Sequence, residues 1–95
     1  MRLYTLHTES LPNLSGIVAR FFRGATILYG LGMWNGEHES TAAILIYAPA
    51  SAQATIANLA DAIVLENRQQ AVLVSGQDVT LYTATHAGLT KVAEA

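Results

Sequence analysis

Gly30-Leu31-Gly32-Met33-Trp34-Asn35-Gly36-Glu37-His38-Glu39-Ser40 is the stretch that decides the fold. An Asn-Gly pair between apolar runs marks a two-residue hairpin, because both turn residues accept positive φ. The strand before Asn35 places Ala25, Ile27, Tyr29, Leu31 and Met33 on one face and Thr26, Leu28, Gly30, Gly32 and Trp34 on the other. Gly30 and Gly32 therefore bare one side of the strand next to Trp34, as expected where a ligand or another backbone approaches closely. The returning strand is predicted from Glu37 to Tyr47, ending at Pro49.

Upstream of the hairpin, Arg2 to Thr8 alternates as a strand, and Glu9-Ser10-Leu11-Pro12-Asn13 breaks it. Leu14, Ile17, Val18, Phe21 and Phe22 follow at helical spacing, with Gly24 placed to end the helix in a left-handed conformation. Downstream, Ser51 is positioned to cap a longer helix running to about Arg68. Its core face is Ala52, Ile56, Leu59, Ala60, Ile63 and Val64; its water face is Gln53, Asn58, Asp61 and Glu66. Ala71-Val72-Leu73-Val74 reads as a strand buried on both faces, Ser75-Gly76-Gln77-Asp78 as a turn, and Val79 to Thr83 as a further strand. From Ala84 to Ala95 no pattern is firm, and a loose tail is expected.

The order is β-α-β-β-α-β with a short C-terminal strand extension. It predicts an α+β class and a single ferredoxin-like domain over residues 1–95, with two helices on one face of an antiparallel sheet. The chain is 52% hydrophobic but only 13% charged. A domain of this size buries only about two-thirds of the surface its unfolded chain exposes. Apolar surface is thus left over for another copy to cover, and a symmetric homo-oligomer is expected, three open sheet faces turned to a common axis being one solution.

A net charge of −2 with five scattered Lys and Arg argues against a nucleic-acid surface. Cysteine is absent, which excludes disulfides and thiolate metal sites. His7, His38 and His86 have no metal-ligand spacing, so no metal is expected. No apolar run reaches the roughly 18 residues of a spanning helix, and the N-terminus lacks the apolar block of a signal peptide. A cytoplasmic protein that binds no membrane is the resulting expectation. No serine lies in a nucleophile elbow, and Gly30-Leu31-Gly32 is too short for a dinucleotide fingerprint.

Glu39 continues the face of Thr41, Ala43, Leu45 and Tyr47, at the rim of an apolar surface. A carboxylate there can hold an ammonium group or take a proton; it can equally be a solvated hairpin end. Trp34 can stack on a base or a cation, or pack in an oligomer interface. Tyr29, on the opposite face of a regular strand, has the same two readings.

Gly32-Met33-Trp34-Asn35-Gly36-Glu37-His38-Glu39-Ser40, followed by a strand, a helix and Gln69-Gln70-Ala71-Val72-Leu73-Val74, resembles the phage-encoded S-adenosylmethionine lyases over roughly residues 22–82. These small proteins are related in fold to the trimeric PII signalling proteins. The resemblance implies cleavage of S-adenosylmethionine to methylthioadenosine and homoserine lactone by attack of the substrate's own carboxylate. It further implies homotrimers with sites between subunits, no cofactor, and depletion of the host's methyl donor against restriction and modification. Carried onto this chain, it makes Glu39 the catalytic position and Trp34 the substrate-binding aromatic residue. Tyr29, Gly30 and Ser40 would complete the pocket. A trimer that binds a nucleotide or other small molecule without turnover is the alternative.

Overall fold

The computed structural model describes residues 1–93. Four strands form one antiparallel sheet: β1 (Arg2–Glu9), β2 (Thr26–Trp34), β3 (Glu37–Ala48) and β4 (Leu73–Asp78), in the spatial order β2-β3-β1-β4. Two helices, α1 (Leu14–Ala19) and α2 (Gln53–Asn67), follow β1 and β3 respectively. The class is α+β, and this arrangement is compatible with a ferredoxin-like fold.

The hairpin predicted from Asn35-Gly36 is present. Asn35 has φ 50° and Gly36 φ 79°, and β2 pairs with β3 in unbroken register from Thr26↔Leu45 to Trp34↔Glu37. Register partners share a face of the sheet. Tyr4, Leu6, Ala42, Ile44, Ile46 and Ala48 accordingly point toward the helices, where Leu14, Ile17 and Val18 of α1 and Ile56, Leu59 and Ile63 of α2 close the core. Leu6, Ile44, Leu59 and Ile63 are wholly buried. The opposite face carries Leu3, Thr5, His7, Thr41, Ala43, Leu45, Leu28 and Trp34, and neither helix covers it.

Several local expectations are corrected. Helix α1 stops at Ala19, with Arg20 still right-handed and Gly24 outside the positive-φ region. Phe21 and Phe22 instead donate their backbone N–H groups to the carbonyl of Val18, the first closing a tightened three-residue turn (2.9 Å) and the second a last four-residue turn (3.0 Å). Ser51 does not cap α2: residues Ala50–Ala52 form a 3-10 turn that runs into the helix, whose N-cap is Ala52 without a side-chain bond. Ser75 to Asp78 continue β4 rather than turning, because β1 pairs with them from Arg2↔Asp78 to His7↔Leu73. A Cβ at Gly76 would stand 3.2 Å from Arg2 Nη2, the far end of a flexible side chain, and in ordinary contact with the Tyr4 ring at 3.4 Å. As an edge strand β4 is exposed, not buried on both faces: Leu73 is 56% and Val74 44% accessible.

The segment expected to be a loose tail from Ala84 contains most of a second, two-stranded sheet. Strands β5 (Tyr82–Thr85) and β6 (Gly88–Lys91) pair antiparallel. Thr83 faces Thr90 and Gly88 closes the turn at φ 108°. Residues 94 and 95 lie outside the described residues. Among the described residues, no helix is long and apolar enough to cross a membrane.

Candidate functional site

The β2–β3 hairpin extends beyond the end of β1, since Glu9 is opposite Thr41 and the last β1 partner of β3. From Ser40 to the turn, the hairpin has no third strand beside it. On its open face Glu39 lies opposite Gly32, and Glu37 opposite Trp34. Glycine at position 32 has a steric cause: a Cβ there would fall on the Cγ2 of Thr41 and 3.0 Å from its Cβ. Thr41 thus leans over the bare backbone of Gly32, with the half-buried Glu39 beside it. Gly30 meets no atom within 4 Å at its Cβ position, so that part of the face stays open.

Across from the hairpin, the end of α2 and the loop to β4 are tied to β1. The Thr8 hydroxyl donates to Gln69 Oε1 (2.9 Å), and Gln69 Nε2 donates back to Thr8 Oγ1 (2.6 Å). The backbone N–H of Glu9 reaches the same Oε1 at 3.4 Å. Arg68, immediately before Gln69, ends α2 in the left-handed conformation, φ 52° and ψ 39°.

Between these two walls lies an open cleft of about 630 Å³. Trp34, Gly32, Glu39 and Thr41 line it from the hairpin, His7 and Glu9 from β1, and Arg68, Gln69, Gln70 and Leu73 from the far side. Its carboxylates are Glu9 and Glu39 and its guanidinium is Arg68, two acidic side chains to one basic, a formal balance of one negative charge. Trp34, half exposed, adds an aromatic surface. Among the described residues no group of three or more His, Asp or Glu side chains is placed to hold a metal ion.

Of the residues singled out from sequence, the cleft brings together Trp34 and Glu39. Gly30 shares their face, one register pair further along, opposite Thr41. Tyr29 and Ser40 do not join them within one chain. Their partners Ala42 and Leu31 place them on the helix side of the sheet, and both are exposed because the helices end short of the hairpin. Sequence reasoning missed Glu9 and Arg68 as cleft residues. Glu9 read as part of a strand break, and no local signal marks an arginine as the left-handed end of a helix.

The chain matches no protein-family model and no curated protein. A solved structure to which it is similar is titled "De novo designed protein Foldit4". The two share 12% identity and a TM-score of 0.47, over 82% of this chain and 94% of that one. A likeness at this level carries no functional argument, and the reading of the cleft rests on its own residues.

Proposed function

We propose that the chain is an S-adenosylmethionine lyase, acting as a PII-like homotrimer of ferredoxin-like subunits inside a host cell whose methyl donor it depletes. The observation that carries the reading is the cleft itself: an aromatic surface and a wall of one net negative charge. S-adenosylmethionine has a sulfonium, an ammonium and a carboxylate, hence one net positive charge. A polyphosphate nucleotide, with several negative charges, would be repelled by the same wall. This favours S-adenosylmethionine over a polyphosphate nucleotide as the ligand, and turnover separates the lyase from a protein that only binds it.

Surface area supports assembly. The chain exposes 6428 Å², against about 5,300 Å² expected of a folded monomer of this mass. Leu28, Trp34, Tyr47 and Leu73 are exposed apolar side chains on the open face. Turning that face to a threefold axis would bring the cleft to a subunit boundary. Tyr29 and Ser40 lie on the helix side, so for them to complete the cleft of the next subunit the contact would have to run round the exposed β2 border.

The reaction needs no nucleophile from the protein. A carboxylate oxygen of the substrate forms a bond to its own Cγ, the Cγ–S bond breaks, and its electron pair passes to sulfur. Neutral methylthioadenosine leaves with homoserine lactone, which keeps the ammonium charge. Holding the chain curled lowers the barrier by proximity, an effect that reaches ~7–11 kcal/mol in well-oriented cases. The sulfonium charge disappears in the step, so exchanging water for an apolar, aromatic wall favours the transition state. Glu39 pairs with the ammonium, whose charge does not change. Its contribution to rate is therefore the fixed curl of the chain rather than charge stabilisation.

Incubation with S-adenosylmethionine followed by chromatography tests the proposal. Methylthioadenosine with homoserine lactone or homoserine supports it. Unchanged substrate that nevertheless raises Tm would replace it with a binding protein. Neither turnover nor stabilisation would overturn both.

A further inference from the structure

Arg68 is the one lysine or arginine lining the cleft among the described residues. Arg2 and Arg20 each face a carboxylate, Asp78 and Glu66; Arg68, like Arg23 and Lys91 outside the cleft, has no ion-pair partner among the described residues. It also occupies a backbone conformation in which glycine is the default at a helix end. The other non-glycine residue with positive φ is Asn35, a residue type suited to its tight turn. Arginine has no such local preference, so the left-handed geometry gives no reason for this side chain.

The charges of the cleft are also separated by element. Glu9 and Glu39 stand on the sheet, at the end of β1 and on β3, whereas Arg68 stands on the wall held by the Gln69–Thr8 bonds. A cleft with carboxylates on one side and a guanidinium on the other is matched by a ligand carrying an ammonium and a carboxylate together.

Resting on the lyase reading, we infer that Arg68 binds the α-carboxylate of an amino-acid-bearing ligand while Glu39 takes its ammonium. A guanidinium N–H donating to one carboxylate oxygen fixes that group and leaves the second oxygen directed at Cγ. Arg68 thereby selects against ligands that share the adenosine and sulfonium but lack the carboxylate.

The test is binding of two probes by the full chain, S-adenosylmethionine and its decarboxylated analogue, to wild type, Arg68→Gly and Arg68→Lys. Glycine suits the left-handed position, so Arg68→Gly removes the guanidinium without straining the fold, and an undiminished Tm verifies this. Wild type is expected to prefer S-adenosylmethionine by at least tenfold. Arg68→Gly should lose that preference, weakening S-adenosylmethionine while the dicationic analogue binds unchanged or more tightly once the guanidinium is gone, and Arg68→Lys should keep part of it. A preference that survives in Arg68→Gly, with turnover in wild type intact, overturns the assignment and leaves the lyase standing. Equal weakening of both probes likewise overturns it. Wild type that binds neither probe overturns the lyase reading and this inference together.

Discussion

Gly30 and Gly32 lie two residues apart on one face of β2, yet alanine should change stability in opposite directions at the two positions. Neither has φ in the left-handed region. In each case Gly→Ala therefore recovers ~0.4–1 kcal/mol by restricting the unfolded chain. At Gly30 nothing opposes the gain, because the new Cβ meets no atom within 4 Å. At Gly32 the new methyl falls on Thr41 Cγ2 and stands 3.0 Å from Thr41 Cβ. Rotation of Thr41 about χ1 can move Cγ2, at a cost for a β-branched side chain, but cannot move a Cβ fixed to the backbone of β3. Overpacking of this kind costs ~1–3 kcal/mol. The net expectation is a gain of ~0.4–1 kcal/mol for Gly30→Ala and a loss centred on ~1.3 kcal/mol, at most ~2.6, for Gly32→Ala. For a domain of this size that corresponds to about 2–8 °C up and, at the centre of the range, about 5–10 °C down in Tm. Circular dichroism melts and urea titrations at one fixed protein concentration measure both, since the proposed assembly would make Tm concentration-dependent. Thr41→Ala in the Gly32→Ala background should return the part of the loss due to Cγ2 and leave the part due to the Cβ at 3.0 Å, as a double-mutant cycle would show. Equal stability of the two single variants would refute the reasoning, because Thr41 would then not be held over Gly32.

Other expectations follow from the same structure. Glu39→Gln should lower turnover of S-adenosylmethionine at least about tenfold through loss of a charge-assisted bond, with the oligomer intact by gel filtration; full retained turnover would remove Glu39 from the mechanism. Because Tyr29 and Glu39 lie on opposite faces of the hairpin, mixing inactive Glu39→Gln and Tyr29→Ala subunits should rebuild about a quarter of the sites in randomly exchanged oligomers. No rescue of activity would place the whole site within one subunit. Leu6→Ala, at a wholly buried position, should cost ~2–5 kcal/mol by urea titration, enough to unfold much of the population. The hydrogen bond and charge of Glu66 raise the Arg20 pKa above its already high ordinary value. A raised pKa gives stability that is present below the unfolded value and lost only on passing the folded one. Both lie above the working range, so Arg20 should add no pH dependence between pH 5 and 9. The Tm difference between wild type and Glu66→Gln should shrink in high salt, as for any exposed pair.

The hairpin and the two helical stripes were legible because each depends on neighbours in sequence. Asn35-Gly36 specifies its own turn, and Ile56, Leu59 and Ile63 announce a buried face by spacing alone. Misread elements were those decided by partners distant in the chain. Ser75-Gly76-Gln77-Asp78 has turn composition, yet pairing with Arg2 to Thr5 extends it. The Tyr82–Lys91 hairpin has no Asn-Gly or Asp-Gly signal and turns at Thr85–Gly88. In the site, period-two alternation put Trp34 and Tyr29 on opposite faces of β2 and Glu39 on the face of Thr41, while the hairpin register showed that Trp34 and Glu39 share a face. Arg68 and Glu9 join them only through the packing of α2 against the end of β1, which no local pattern encodes.

Strand β2 borders the sheet along its whole length, and from Thr26 to Trp34 it contains neither a charged residue nor a proline. Every second backbone amide and carbonyl along that border points away from β3, ready to add a further strand, and the usual gatekeepers against such addition are missing. A newly made chain is consequently adhesive along this border. Yield of soluble protein should then depend on how quickly chains bury it in the proposed oligomer relative to how often they stack border to border. Slow, cool expression should favour the first outcome, and a single lysine at the exposed Leu31 should suppress the second.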